Sequence, residues 1–210
     1  MLNVIRYEDL RDIVLVGHSY GGMVVTGVAE QLRERIAAIV YLDAFLPEDG
    51  QSAGDVIGVP SWPEHMAAPI SATAFGVNAA DRAWVDSKMT PHPVGCFTEK
   101  LKVSGAYQSI ANKLYIRAAG FANPAFDSAL ARCSADPSWK TRTMQCGHDV
   151  MVDQPLQLAG ILERRHRRDI ELGVGGEQER PGAREVPVGS GSRDRRGGRR
   201  LFDGGCDPAE

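Results

Sequence analysis

Little in the sequence suits a metal, a membrane or a polyanion. Its four cysteines, Cys96, Cys133, Cys146 and Cys206, have no metal-ligand spacing and no disulfide framework. That excludes a zinc-ribbon reading and makes a reducing cytoplasm the expected setting. No stretch approaches the roughly 18 uncharged apolar residues of a membrane span. Met1 to Leu10 lacks the apolar run of a signal peptide. The net charge is only −3, so the overall balance steers the chain toward no charged partner, nucleic acid included. There is no internal repeat.

What is present is enough for one ordinary core: 210 residues, 43% of them hydrophobic. The composition is uneven. Residues 1–163 carry apolar runs and ordinary charge, whereas residues 164–210 hold 11 Arg, 10 Gly and no Lys. Such a tail buries too little apolar surface to offset the entropy of ordering, which predicts disorder. The arginines from Arg193 to Arg200 could form a patch for an acidic partner, but interleaved Asp and Glu argue against it.

The apolar runs alternate in kind. Asp12 to Val16 and Ile36 to Leu42 read as buried parallel strands, and Tyr20 to Arg33 between them has helical spacing. Strand, helix and strand within about 30 residues is a βαβ unit, normally a right-handed crossover in a parallel sheet. From Pro47 to Gly105, proline and glycine recur and apolar runs shorten. This segment predicts an insertion above the sheet rather than more sheet, with short helix around Asp81 to Ser87. A third strand follows at Lys113 to Arg117, a helix at Pro124 to Cys133, a fourth strand at Trp139 to Gln145, and a last helix at Gln154 to Glu163 with Pro155 in its first turn.

Gly17-His18-Ser19-Tyr20-Gly21 matches G-x-S-x-G, with a strand before it and a helix after it. A sharp strand-to-helix turn projects the serine hydroxyl above the sheet. Side chains two before and two after would collide, so glycine is expected at both places. The Tyr20 N–H points at a developing oxyanion, and the helix N-terminus adds partial positive charge. Ser19 is the candidate nucleophile.

A serine needs a positioned base to lose its proton. His148, in Gly147-His148-Asp149, follows the fourth strand, from which a loop can reach back over the sheet. His18, His65, His92 and His166 are worse placed. The base needs a carboxylate partner. The loop after the third strand, Ala118 to Asn123, holds none, and Asp127 comes next, inside a helix. Asp43 closes the second strand, where a carboxylate is costly unless paired and where ligands of parallel sheets gather. Asp43 is preferred and Asp127 remains the alternative. His18 and the apolar Trp62, Phe75, Trp84 and Phe97 are candidates to line a pocket.

V-G-H-S-Y-G-G-M-V, Y-L-D-A-F-L-P-E-D-G-Q-S and C-G-H-D-V-M followed by D-Q-P-L-Q-L-A-G-I-L resemble bacterial α/β-hydrolases related to plant methylester esterases and hydroxynitrile lyases. The likeness runs from Val4 to Leu162. It implies an α/β-hydrolase fold, a mostly parallel sheet with a helical cap, and hydrolysis of a small-molecule ester without metal or organic cofactor. It divides the chain into hydrolase core (1–47), cap (48–105), core with the catalytic histidine (106–163) and tail (164–210). Family members carry about four strands before the elbow strand, and a loop among them supplies a second oxyanion donor. This sequence shows neither, so the fold is expected to be incomplete. Losing such a donor costs about 10²–10³ in rate. An impaired fragment without turnover is therefore the rival to an active esterase. Hydroxynitrile lyases of the family carry lysine directly after the histidine. Here Asp149 would repel cyanide, which favours hydrolysis.

Overall fold

Parallel strands covered on both faces need apolar residues at nearly every position. Of the four long strands, the one over Ile36–Ala44 meets that demand at eight of its nine positions. In a computed structural model, which describes residues 1–59 and 63–173, β1 spans Ile13–Ser19, β2 Ile36–Ala44, β5 Asn112–Ala118 and β6 Trp139–Met144. They form one parallel sheet in the order β1-β2-β5-β6. β2 lies inside the sheet and is buried almost throughout, whereas β6 is half-buried or exposed up to its last residue, Met144, as an edge strand can be. Trp62, Cys206 and the Arg193 to Arg200 run lie outside the described residues.

The side-chain period of two sorts the strands into two cores. Ile39 and Tyr41 of β2, with Leu15 and Tyr115, face the helix α2 (Gly21–Leu32) through Val25, Val28 and Leu32. Val40, Leu42, Leu114 and Ile116 face the opposite way, onto Val150 and Leu158. Leu158 belongs to α8 (Pro155–Gly173). α1 (Leu2–Tyr7) adds Ile5 to the first core. The Tyr41 hydroxyl is buried there and donates to Thr26 Oγ1 at 2.7 Å, because Thr26 spends its own proton on the Gly22 carbonyl.

Between β2 and β5 the chain makes short elements. They are α3 (Ala53–Ile57), α4 (Arg82–Lys88), α5 (Gly95–Thr98) and two two-residue strands, β3 (Met66–Ala67) and β4 (His92–Pro93). The last two pair antiparallel, so the segment is not wholly without sheet. α6 (Pro124–Ala135) starts where Asn123 accepts the Ala125 and Phe126 N–H groups, with proline in its first turn. α7 (Val150–Asp153) follows the loop after β6. α8 runs to Gly173, ten residues beyond the expected end at Glu163. The residues from Arg164 to Leu172 contain no glycine or proline, and most of them are good helix formers.

Candidate functional site

β1 ends in a turn that few residues accept. Ser19 has φ +55°, in the left-handed region, and the β1–β2 register slips between His18 and Ser19. Held there, Ser19 gives its carbonyl to Phe45 N–H at 3.1 Å, and the chain enters α2 directly at Tyr20. The Tyr20 N–H thus stands at a helix N-terminus, where the first amides have no intrahelical acceptor.

The glycines are only partly where crowding was expected. A Cβ on Gly17 would come within 2.6 Å of the Gly21 carbonyl oxygen, but a Cβ on Gly21 would meet nothing within 4 Å. The second crowded position is Gly22, where a Cβ would lie 2.0 Å from the Phe45 carbonyl oxygen. The constraint after the serine comes from Phe45, just past the end of β2, and falls one residue later than the motif suggests.

Asp43, next to last in β2, is at φ +42° and fully buried. Its Oδ2 lies 2.7 Å from His148 Nδ1. Its Oδ1 accepts Arg117 Nη1 at 2.8 Å and the Ala118 N–H at 3.0 Å. Arg117, at the end of β5, is 4% exposed and was not singled out from the sequence. The signal was a lone cation closing the apolar run Leu114-Tyr115-Ile116. Burial opposes its charge, yet the Asp127 and Asp43 carboxylates hold its pKa above the ordinary value. Asp127 does not reach His148 in the way proposed for a triad acid. Its side chain is 62% exposed and binds Arg117 Nε at 2.8 Å, because its place on α6 faces the outer side of the guanidinium.

His148 is 2% exposed and sits among aromatic rings, with centroids at 4.8 Å (Phe75), 4.7 Å (Phe121) and 5.6 Å (Phe126). Its N–H donates to the Phe75 carbonyl at 2.8 Å. Asp153 accepts the Gly147 N–H at 2.7 Å and the Asn78 N–H at 3.0 Å. The loop after β6 is thereby stitched to residues 75–78. The backbones meet so closely that a Cβ on Gly147 would lie 2.3 Å from the Gly76 carbonyl oxygen. One on Gly120, in the loop after β5, would lie 2.6 Å from that of Cys146.

His18 was a candidate pocket residue, and the structure gives it a different contact. Its Nε2 is 2.9 Å from the His148 carbonyl oxygen, so neutral His18 donates there and props the loop. Burial, reinforced by repulsion from His148, lowers its pKa to about 4. The sign for stability follows. The unfolded chain takes this proton near 6.5 and the folded chain only near 4, so acid favours unfolding between those values. Chemical denaturation should show about 1–2 kcal/mol lost between pH 7 and 5 beyond the loss in His18→Gln. Equal slopes in the two proteins would mean that His18 titrates normally.

Among the other pocket candidates, Phe75 lies against His148. Phe97 is 5.7 Å from the Tyr20 ring and 4.6 Å from that of His92. Trp84 is 57% exposed, because α4 buries its neighbour Val85, about 100° around the helix. Among the described residues no cluster of three His, Cys, Asp or Glu could hold a metal ion, and no helix is long and apolar enough to cross a membrane.

Residues 2–161 match the Alpha/beta hydrolase family. A carbendazim hydrolyzing esterase of Nocardioides sp. strain SG-4G is 37% identical over 177 residues, covering 76% of this chain and 73% of that protein. Methylesterase 1 of Arabidopsis thaliana is 30% identical over 80 residues, 38% of this chain and 25% of that protein. An extracellular alpha/beta-hydrolase from a Paenibacillus species, described as homologous to tobacco salicylic acid binding protein 2, superposes with a TM-score of 0.66. It covers 78% of this chain and 76% of that one at 23% identity, which speaks for the fold alone.

Proposed function

Because this chain belongs to the alpha/beta hydrolase family, we propose that it hydrolyses small carboxylic esters through an acyl-enzyme on Ser19. The observation that carries the reading is the 2.7 Å contact between buried Asp43 and His148 Nδ1, beside the strained turn of Ser19. A carboxylate on Nδ1 fixes the tautomer whose Nε2 has a free lone pair.

The steps follow. Ser19 Oγ attacks the ester carbonyl carbon while His148 Nε2 takes its proton. The carbonyl oxygen becomes an oxyanion, held by the Tyr20 N–H and the positive end of α2. The tetrahedral species collapses, and His148 returns the proton to the leaving alkoxide. Water, deprotonated by the same imidazole, then attacks the acyl carbon and frees the acid. Asp43 stabilises the imidazolium formed in each half. His18 stays neutral beside it at pH 7, so it does not oppose that charge. The 48–105 segment serves as a lid, with Phe75 and Phe97 lining the crevice.

The test is stoichiometric labelling with a fluorophosphonate, followed by peptide mapping. One phosphonate per chain, on Ser19, is the expected result. A folded chain that takes no label would favour the rival, a hydrolase fragment without turnover. A p-nitrophenyl ester series, with carbendazim included as the named substrate of the Nocardioides relative, then defines the ester class.

A further inference from the structure

The ionic group under the base contains one member that the reaction never touches. Arg117 sends Nη1 to Asp43 Oδ1 at 2.8 Å and to the Ala118 carbonyl, Nη2 to the Phe121 carbonyl at 2.6 Å, and Nε to Asp127 Oδ1 at 2.8 Å. Four of its five fixed donors are thus spent on one carboxylate oxygen, one outer carboxylate and the turn that follows β5. Asp43 is left with Oδ2 for His148.

A buried carboxylate without a cation is costly. Were Arg117 uncharged, the cheapest source of positive charge would be His148 itself, holding a second proton to make a neutral pair. An imidazolium has no lone pair for the Ser19 proton. With Arg117 on the far oxygen, the carboxylate is already balanced and the imidazole can rest neutral.

We propose that Arg117 is a positioning residue that balances and orients Asp43, so that His148 rests as the free base. The inference rests on the proposed roles of Asp43 and His148. The other ionisable groups around the base are accounted for. His18 faces it from β1 and is neutral above about 4. Asp149 adjoins it in sequence, and Asp153 on α7 binds the Gly147 N–H. Burial pushes the Cys146 thiol up to about 11, so it is neutral. Asp127 reaches the group only through Arg117 and faces solvent, where its charge is screened.

The experiment reads His148 by NMR, through its ring C–H shifts and its downfield Nδ1–H proton, in the full chain without substrate. Arg117→Gln keeps a hydrogen-bond donor but removes the charge, and should raise the protonation midpoint of His148 by about one pH unit or more. Arg117→Lys keeps the charge and should stay much closer to the wild-type midpoint. In kinetics, Arg117→Gln should lower kcat about tenfold near pH 6 and regain most of it in alkali, with KM little changed. If Arg117→Gln does not fold, Asp43→Asn is compared with Asp43→Asn/Arg117→Gln, in which neither charge is left stranded. The guanidinium should leave His148 with the lower midpoint in the single variant. A wild-type midpoint in folded Arg117→Gln, or equal midpoints in that pair, overturns the proposal. Because the titration needs no turnover, a chain that hydrolyses no ester would end the esterase reading and leave this measurement standing.

Discussion

Ser19→Ala lowers kcat for p-nitrophenyl acetate about 10⁴-fold or more, down to what binding and oxyanion stabilisation alone provide. The reason is chemical rather than structural. Alanine at φ +55° carries the same left-handed strain as serine, and the Ser19 backbone carbonyl still accepts from Phe45 N–H. The melting temperature should therefore move little while the rate collapses. Loss of rate with loss of fold would not distinguish a nucleophile from a turn residue, so circular dichroism accompanies the kinetics. A folded variant keeping a tenth of the wild-type rate would show that another group attacks the ester. The nearest hydroxyl-bearing side chain in sequence is Tyr20, whose ring is engaged with His92 and Phe97.

Asp43→Asn and Asp127→Asn are expected to behave very differently. The first should lower kcat by about 10³–10⁴, the second by no more than about threefold. Asparagine fills the same space as Asp43 but carries no charge, and its amide can impose the wrong tautomer on His148, an effect of about 10⁴ in a serine protease triad. It also strands the Arg117 guanidinium, which is 4% exposed. Breaking a buried pair on one side costs about 3–5 kcal/mol, so thermal unfolding must be measured with the rate. Asp127 is 62% exposed, and an ion pair in that setting is worth little. The reverse ranking, with Asp127→Asn the slower enzyme, would transfer the acid's role to α6 and end the assignment to Asp43.

These residues were not equally readable beforehand. The βαβ unit, the elbow and the loop carrying His148 announce themselves because each is written in consecutive residues: an apolar run, a helical period, a glycine-flanked serine. The acid is not local in that sense. Asp43 and Asp127 both stand near strands that end toward the site, and only the direction of each side chain separates them. Arg117 was passed over because its partner lies 74 positions away, so the charge looked like the solvated end of a strand. Gly22, rather than Gly21, bears the close approach because the obstacle is the carbonyl of Phe45, just past β2, which no motif around the serine can display. Long-range pairing, not local propensity, decided each of these.

The glycine contacts near the base have a practical consequence for anyone diversifying this scaffold. Gly147 and Gly120 each come within van der Waals range of a carbonyl from another segment, with no side chain between the main chains. Mutational libraries placed there would sample backbone displacement rather than chemistry, and most members would be lost as misassembled protein. Useful diversity lies instead around His92 and Phe97. There aromatic rings also pack against one another, and such rings can be exchanged at modest cost. The molecule thus separates a frozen quarter around His148 from a plastic one around His92 and Phe97.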